Sequence, residues 1–85
     1  MKLIKYATSH CPMCKAMEKQ LELVTIPHET VMLYENDNES IAARFKIRSV
    51  PCTILFDDND NEIARWQGVV KAEVINDKIV ECENL

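Results

Sequence analysis

The residues with the most chemistry in this chain are its cysteines, and two of them are spaced to act together. Cys11-Pro12-Met13-Cys14 is a C-x-x-C placed directly after a predicted strand and at the opening of a predicted helix. Cys11 then stands at or near the N-cap, where unpaired backbone N–H groups point toward its sulfur. The helix dipole adds about half a positive charge at the same place. Both favour the thiolate, the nucleophilic form, and bring such a cysteine from a pKa of about 8.5 into a range of roughly 3.5–7.5. Cys14, one helical turn on, is expected to be more buried and to keep its proton. Attack by Cys11 on a disulfide gives a mixed disulfide that Cys14 can resolve.

Other uses of cysteine have to be weighed against this one. Cys52 and Cys82 complete a set of four, which can pair in three ways in a disulfide-stapled secreted domain. The N-terminus, Met1-Lys2-Leu3-Ile4-Lys5-Tyr6, has no apolar signal region, so a cytoplasmic location is expected. There, cysteines serve redox chemistry or metal binding more often than stapling. A C-x-x-C is also half of many zinc sites. Its other half would have to come from Cys52, Cys82, His10 or His28, and no second C-x-x-C or paired histidine motif exists. No metal and no organic cofactor are expected.

Composition narrows the function classes further. The chain has 85 residues, enough for one domain over 1–85, and 47% of them are hydrophobic, which argues against disorder. A formal charge of −4 argues against nucleic acid as a partner, since that affinity comes mainly from Lys and Arg on phosphates. No apolar run reaches the roughly 18 residues of a membrane span. Gly68 is the single glycine, which excludes a glycine-rich phosphate loop.

Seven short elements must position the dithiol. Leu3 to Ala7 alternates apolar and polar residues as a strand does. Pro12 fits the first position of a helix, and Met13, Met17, Leu21 and Val24 share one face of it until Pro27. Val31-Met32-Leu33-Tyr34 gives the strand from Glu29 to Tyr34 an apolar run suited to burial. Asn36-Asp37-Asn38 is turn and cap chemistry ahead of a short helix carrying Ile41, Ala42 and Phe45. Cys52 to Phe56 is a third, central strand. The five residues Asp57 to Asn61 form the loop of a hairpin that returns as Glu62 to Trp66. After Gly68 a last helix places Val69, Ala72, Ile75, Ile79 and Cys82 on one face. The order is β-α-β-α-β-β-α, an α/β chain with a four-stranded mixed sheet flanked by three helices.

A second signal lies at Ser49-Val50-Pro51-Cys52. Proline cannot donate to a ladder, so Pro51 belongs at the head or edge of its strand. A cis peptide would explain a turn there, although a proline in that position taken alone is trans about 95% of the time.

The two signals together resemble the thioredoxin superfamily over nearly the whole chain. Cys-Pro-Met-Cys is closer to glutaredoxin's C-P-x-C than to thioredoxin's C-G-P-C. Lys15, just after the motif, matches the thioredoxin pattern, and Arg48-Ser49-Val50-Pro51 is similar to the family's R-x-V-P. Asp57 to Trp66 followed by Gly68 resembles thioredoxin's acidic turn, strand and lone glycine. The Gly-Gly-x-x-Asp segment with which glutaredoxins hold glutathione is missing. The length resembles the glutaredoxin-sized thioredoxins of archaea and bacteria.

The resemblance implies a thioredoxin-like fold with sheet order 2-1-3-4 and strand 3 antiparallel to strand 1. It implies a cis Pro51 facing the dithiol and a Val50 backbone that pairs with an extended substrate peptide. Pro12 and Met13 would belong to the substrate-docking surface. Three positions depart from the pattern. Lys5 stands where thioredoxin carries a buried Asp that moves protons at the resolving cysteine, so that role falls to Lys5 or to water. His10 replaces a Trp; it either sits near the Cys11 sulfur, favouring its thiolate when charged, or is a solvated loop residue. Cys52 replaces a Thr and is either a third redox thiol or a small core residue. Trp66 and Cys82 are expected in the core and His28 in a solvated loop.

The implied activity is thiol–disulfide oxidoreduction on protein disulfides by a monomer. Cys11 is the nucleophile and Cys14 the resolving thiol. Electrons come from a thioredoxin-reductase-like flavoenzyme or from glutathione. The lone Gly68 favours the first donor and C-P-M-C the second, with the balance toward the reductase. A non-catalytic dithiol module for metal binding or interaction is the remaining alternative.

Overall fold

Alternation along the first strand sets up two core layers, one on each face of a single sheet. The structure, a computed structural model, describes residues 1–35 and 39–84. Its elements are β1 (Lys2–Ala7), α1 (Pro12–Leu21), β2 (His28–Met32), α2 (Glu39–Arg44), β3 (Cys52–Phe56), β4 (Glu62–Gln67) and α3 (Ala72–Glu83). The sheet order is β2-β1-β3-β4, with β1 parallel to β2 and antiparallel to β3, and β3 antiparallel to β4. The expected element order, mixed sheet and strand order are all present. The turn expected of Asn36, Asp37 and Asn38 lies outside the described residues.

On one face Leu3 and Leu55 join Met17 and Leu21 of α1 and Ile75 and Ile79 of α3. On the other, Tyr6, Cys52, Ile54 and Phe56 join Leu33, Ala42 and Ile47, with Phe45 packed against them. The Phe45 ring lies 5.6 Å from Tyr6 and 5.8 Å from Phe56, within the range of favourable aromatic pairs. Each large apolar side chain in these layers stabilises the fold by roughly 1.5–3 kcal/mol. β3 is buried along its whole length because both layers use it.

The structure differs from the sequence expectation at three element ends, each for a local reason. α1 stops at Leu21, because Leu23 and Val24 donate to Gln20 and Leu21 in the tighter i to i−3 pattern. β2 is an edge strand, exposed over His28–Thr30, and only its end is drawn into the core through Val31 and Leu33. Gly68 adopts φ 77°, a left-handed conformation, and α3 begins only at Ala72. That delay puts Val70, not Val69, against the core and leaves Cys82 half-buried.

α1 and the turn that follows it are also tied to α3 by polar contacts. Asn76 of α3 donates to the Leu23 carbonyl at 3.0 Å and accepts from the Thr25 N–H at 3.0 Å. Lys71 makes no side-chain cap for α3, and Gln20 of α1 serves instead, accepting from the Ala72 N–H at 3.0 Å.

Candidate active site

β1 ends at Ala7, and a short turn through His10 delivers the chain to α1. Cys11 is the N-cap, with extended backbone, and Pro12 follows it at the first helical position. The Cys11 sulfur accepts from the Cys14 N–H at 3.1 Å, as an N-cap side chain does for an otherwise unpaired donor. Cys11 and Cys14 are joined as a disulfide, with their Cα atoms 5.2 Å apart. Cys11 remains partly exposed, whereas Cys14 is buried with Met17 and Leu21 along the inner stripe of the helix. One sulfur is thus open to attack or to be attacked, and the other is shielded behind it. In the reduced state the same N–H and the helix N-terminus favour negative charge on Cys11.

The second part of the site is the turn before β3. The Val50–Pro51 peptide is cis, as the resemblance implied. Pro51 is buried, and its carbonyl accepts from the Gly68 N–H at 2.8 Å. A Cβ on Gly68 would stand 3.6 Å from the terminal methyl of Met13. Met13 itself is half exposed at the surface. Pro12 is exposed and Val50 half-buried. Met13 of the dithiol turn thus lies near Gly68, and the Gly68 N–H is bonded to the cis proline. Gly68, the only glycine in the chain, is thereby held beside the turn that carries the cis proline.

The structure separates the three tuning candidates. Lys5 is fully buried and lies under the dithiol: its ammonium donates to the Cys14 carbonyl at 3.1 Å and pairs with the Glu18 carboxylate at 3.0 Å. His10 is exposed, at φ 60°, and the hydrogen bond to the Cys11 sulfur comes from the Cys14 N–H and not from this imidazole. Its place is that of the solvated loop residue. Cys52 does not join the dithiol. It is fully buried in the α2-side layer with Tyr6 and Ile54, on the face of the sheet opposite α1. Burial pushes its thiol up from the ordinary cysteine range, with the nearby Arg65 opposing. Of the two readings of Cys52, a third redox thiol or a small core residue, its packing is that of the second: strand alternation after Pro51 turns it away from α1, and it packs as a small hydrophobe.

Trp66 packs against the α1–α3 layer, and His28 is exposed. Glu18 and Thr53 were not anticipated. Glu18 is one turn beyond Cys14, and Thr53 lies opposite Lys5 in the β1–β3 ladder. Nothing in their spacing announces that both neighbour Lys5, Glu18 through an ion pair and Thr53 through the pairing of β1 with β3. Among the described residues no group of His, Cys, Asp or Glu side chains is arranged to hold a metal ion. No helix of the described residues is long and apolar enough to cross a membrane.

Comparison with known proteins places this geometry. Residues 2–81 match the thioredoxin-like domain family. The SPbeta prophage-derived thioredoxin-like protein YosR of Bacillus subtilis (strain 168) is 40% identical over 68 residues, which is 80% of this chain and 82% of that protein. The structure of thioredoxin 1 from the thermophilic eubacterium Thermosipho africanus TCF52B aligns over 100% of both chains, with TM-score 0.77 and 28% identity. A thioredoxin-like protein from Clostridium perfringens shares the fold, with TM-score 0.78 and 23% identity over 94% of this chain and 68% of that one.

Proposed function

The chain belongs to the thioredoxin-like domain family, whose fold with a C-x-x-C pair supports thiol–disulfide oxidoreduction, and from that premise we propose that it reduces disulfides of protein substrates. The observation that carries this reading is the asymmetry of the pair: Cys11 is a partly exposed N-cap sulfur with a backbone N–H directed at it, and Cys14 is buried one turn behind. The Cys11 thiolate attacks a substrate disulfide, forming the Cys11–substrate bond and releasing one substrate thiolate, which takes a proton from solvent. Cys14 loses its proton to solvent and attacks Cys11. The Cys11–Cys14 disulfide forms, and the second substrate thiol leaves with a proton from solvent. The dithiol loses two electrons and the substrate gains them.

Substrate docking falls to the surface around the dithiol. Met13 offers an exposed, adaptable apolar contact. The Val50 backbone, just before the cis peptide, is offered as the strand-like partner of an extended substrate segment. Electrons to reopen the disulfide come from a thioredoxin-reductase-like flavoenzyme. The missing Gly-Gly segment after Gly68 speaks against glutathione as the main donor, and the C-P-M-C sequence speaks for it.

The test is NADPH consumption with a disulfide-containing protein and catalytic amounts of this chain. One arm supplies thioredoxin reductase, the other glutathione with glutathione reductase. Turnover is expected in the first arm and is lost at least about a hundredfold in Cys11→Ser. Turnover confined to the second arm would assign the chain to glutathione-dependent chemistry. Undiminished turnover by Cys11→Ser would remove the mechanism.

A further inference from the structure

Among the described residues, Lys5 is the only charged side chain that is fully buried, 0% exposed. It sits on the face of β1 that carries Leu3 and Ala7, where an apolar side chain would satisfy packing. Burying an ammonium is costly unless its hydrogens are used. Here it donates to the Cys14 carbonyl at 3.1 Å and to Glu18 at 3.0 Å. Thr53 stands opposite in the β1–β3 ladder, and its hydroxyl is buried with no hydrogen-bond partner. Two independent features therefore make the floor beneath Cys14 polar inside an otherwise apolar layer.

We infer that Lys5 is an electrostatic positioning residue of the dithiol, whose ammonium stabilises thiolate charge on the reduced pair, and on Cys14 as it is deprotonated in the resolving step, with Glu18 moderating its charge. This rests on the proposed roles of Cys11 and Cys14. In that step Cys14 gives its proton to water, its sulfur bonds to the Cys11 sulfur, and the Cys11–substrate bond breaks to release a substrate thiolate that takes a proton from solvent. No further oxidant or reductant is required. The Lys5–Glu18 pair does not cancel at the dithiol. Glu18 is 60% exposed and its charge is screened by water, whereas the Lys5 charge acts through the protein interior.

The groups around Lys5 are few. α1 contributes Cys14 and Glu18, β3 contributes Thr53, β2 places Thr30 in register with it, and α3 brings the apolar Ala72, Ile75 and Ile79 to this face. Among the described residues, the charged group paired with Lys5 is the Glu18 carboxylate. Removing either charge must therefore move the dithiol in opposite directions. A role in packing alone would not.

The experiment measures the dithiol–disulfide equilibrium against a glutathione couple for the parent, Lys5→Met and Glu18→Gln, with the pH profile of dithiol alkylation as a second readout. Lys5→Met is expected to shift the equilibrium about tenfold toward the disulfide, about 30 mV more negative for a two-electron couple. Its thiolate should appear at higher pH. Glu18→Gln is expected to shift both readings the other way. No shift in either variant, or shifts of the same sign in both, would overturn the inference. If Lys5→Met does not fold, the sign of the Glu18→Gln shift decides alone. Neither reading needs a protein substrate. A chain silent in the coupled assay that still shows the opposed shifts would overturn the proposed function and leave the control by Lys5 standing. An active chain without the shifts would do the reverse.

Discussion

Tyr6 and Cys52 face each other across β1 and β3, on the side of the sheet away from the dithiol. Both are buried, and burial pushes the Tyr6 phenol up to about 12, with the charges of Cys52 and Glu29 adding to it. The stability consequence follows from linkage. The unfolded phenol ionises near pH 10, so above that pH the unfolded state sheds a proton that the folded state still holds. The Tyr6 contribution is complete below about pH 10, declines from there, and is gone once pH passes about 12. Two pKa units correspond to about 2–3 kcal/mol. The difference in unfolding free energy between the parent and Tyr6→Phe should therefore change by that amount between about pH 9 and pH 12. Urea titrations at several pH values check this, and a pH-independent difference would contradict it. The same alternation explains why Cys52 was open to two readings: its position after Pro51 suggested nearness to the dithiol, and its packing depends on the face of the sheet it points to.

At the scale of elements, α2 shows how the chain ends a helix without a glycine. Lys46 donates to Ala43 and Ile47 donates to Ala42 at 2.8 Å, the double hydrogen-bond pattern of a Schellman cap. Lys46 takes the left-handed position at φ 55°, which glycine would occupy without strain. Lys46→Gly is expected to stabilise the protein by about 0.5–1 kcal/mol, seen as a higher urea midpoint at unchanged slope. A lower midpoint would contradict the assignment. Caps and turns of this kind mark the border of what was legible in the sequence. Period and turn chemistry located β1, β3, the Asp57–Asn61 hairpin and the start of α1. They did not show that β2 lies exposed at an edge, since the apolar run Val31–Tyr34 is equally compatible with a central strand. Nor did they show that α1 tightens after Leu21, or that the φ of Gly68 delays α3 and exchanges Val69 for Val70. Those outcomes depend on tertiary partners rather than on local pattern.

For the whole molecule, the sheet divides the work between its faces. The α2 side is a continuous apolar and aromatic layer. The α1–α3 side carries the dithiol, the buried Lys5 and the Asn76 and Gln20 contacts that fix α3 against α1. The dithiol motif and Pro51 were legible because local placement defines them: a C-x-x-C between strand and helix, and a proline at a strand head. The neighbourhood of Lys5 with Glu18 and Thr53 was not, because these residues come from three elements that meet only on folding. The central claim is that Cys11 attacks and Cys14 resolves, and the most direct measurement is capture of the intermediate. Cys14→Ser, reduced and mixed with a disulfide-containing protein, should accumulate a one-to-one adduct by mass that a thiol reductant reverses, with the bond mapped to Cys11. Cys11→Ser should give none. An adduct through Cys11 alone is the predicted result; equal adducts in both variants, or an adduct only in Cys11→Ser, would contradict the account.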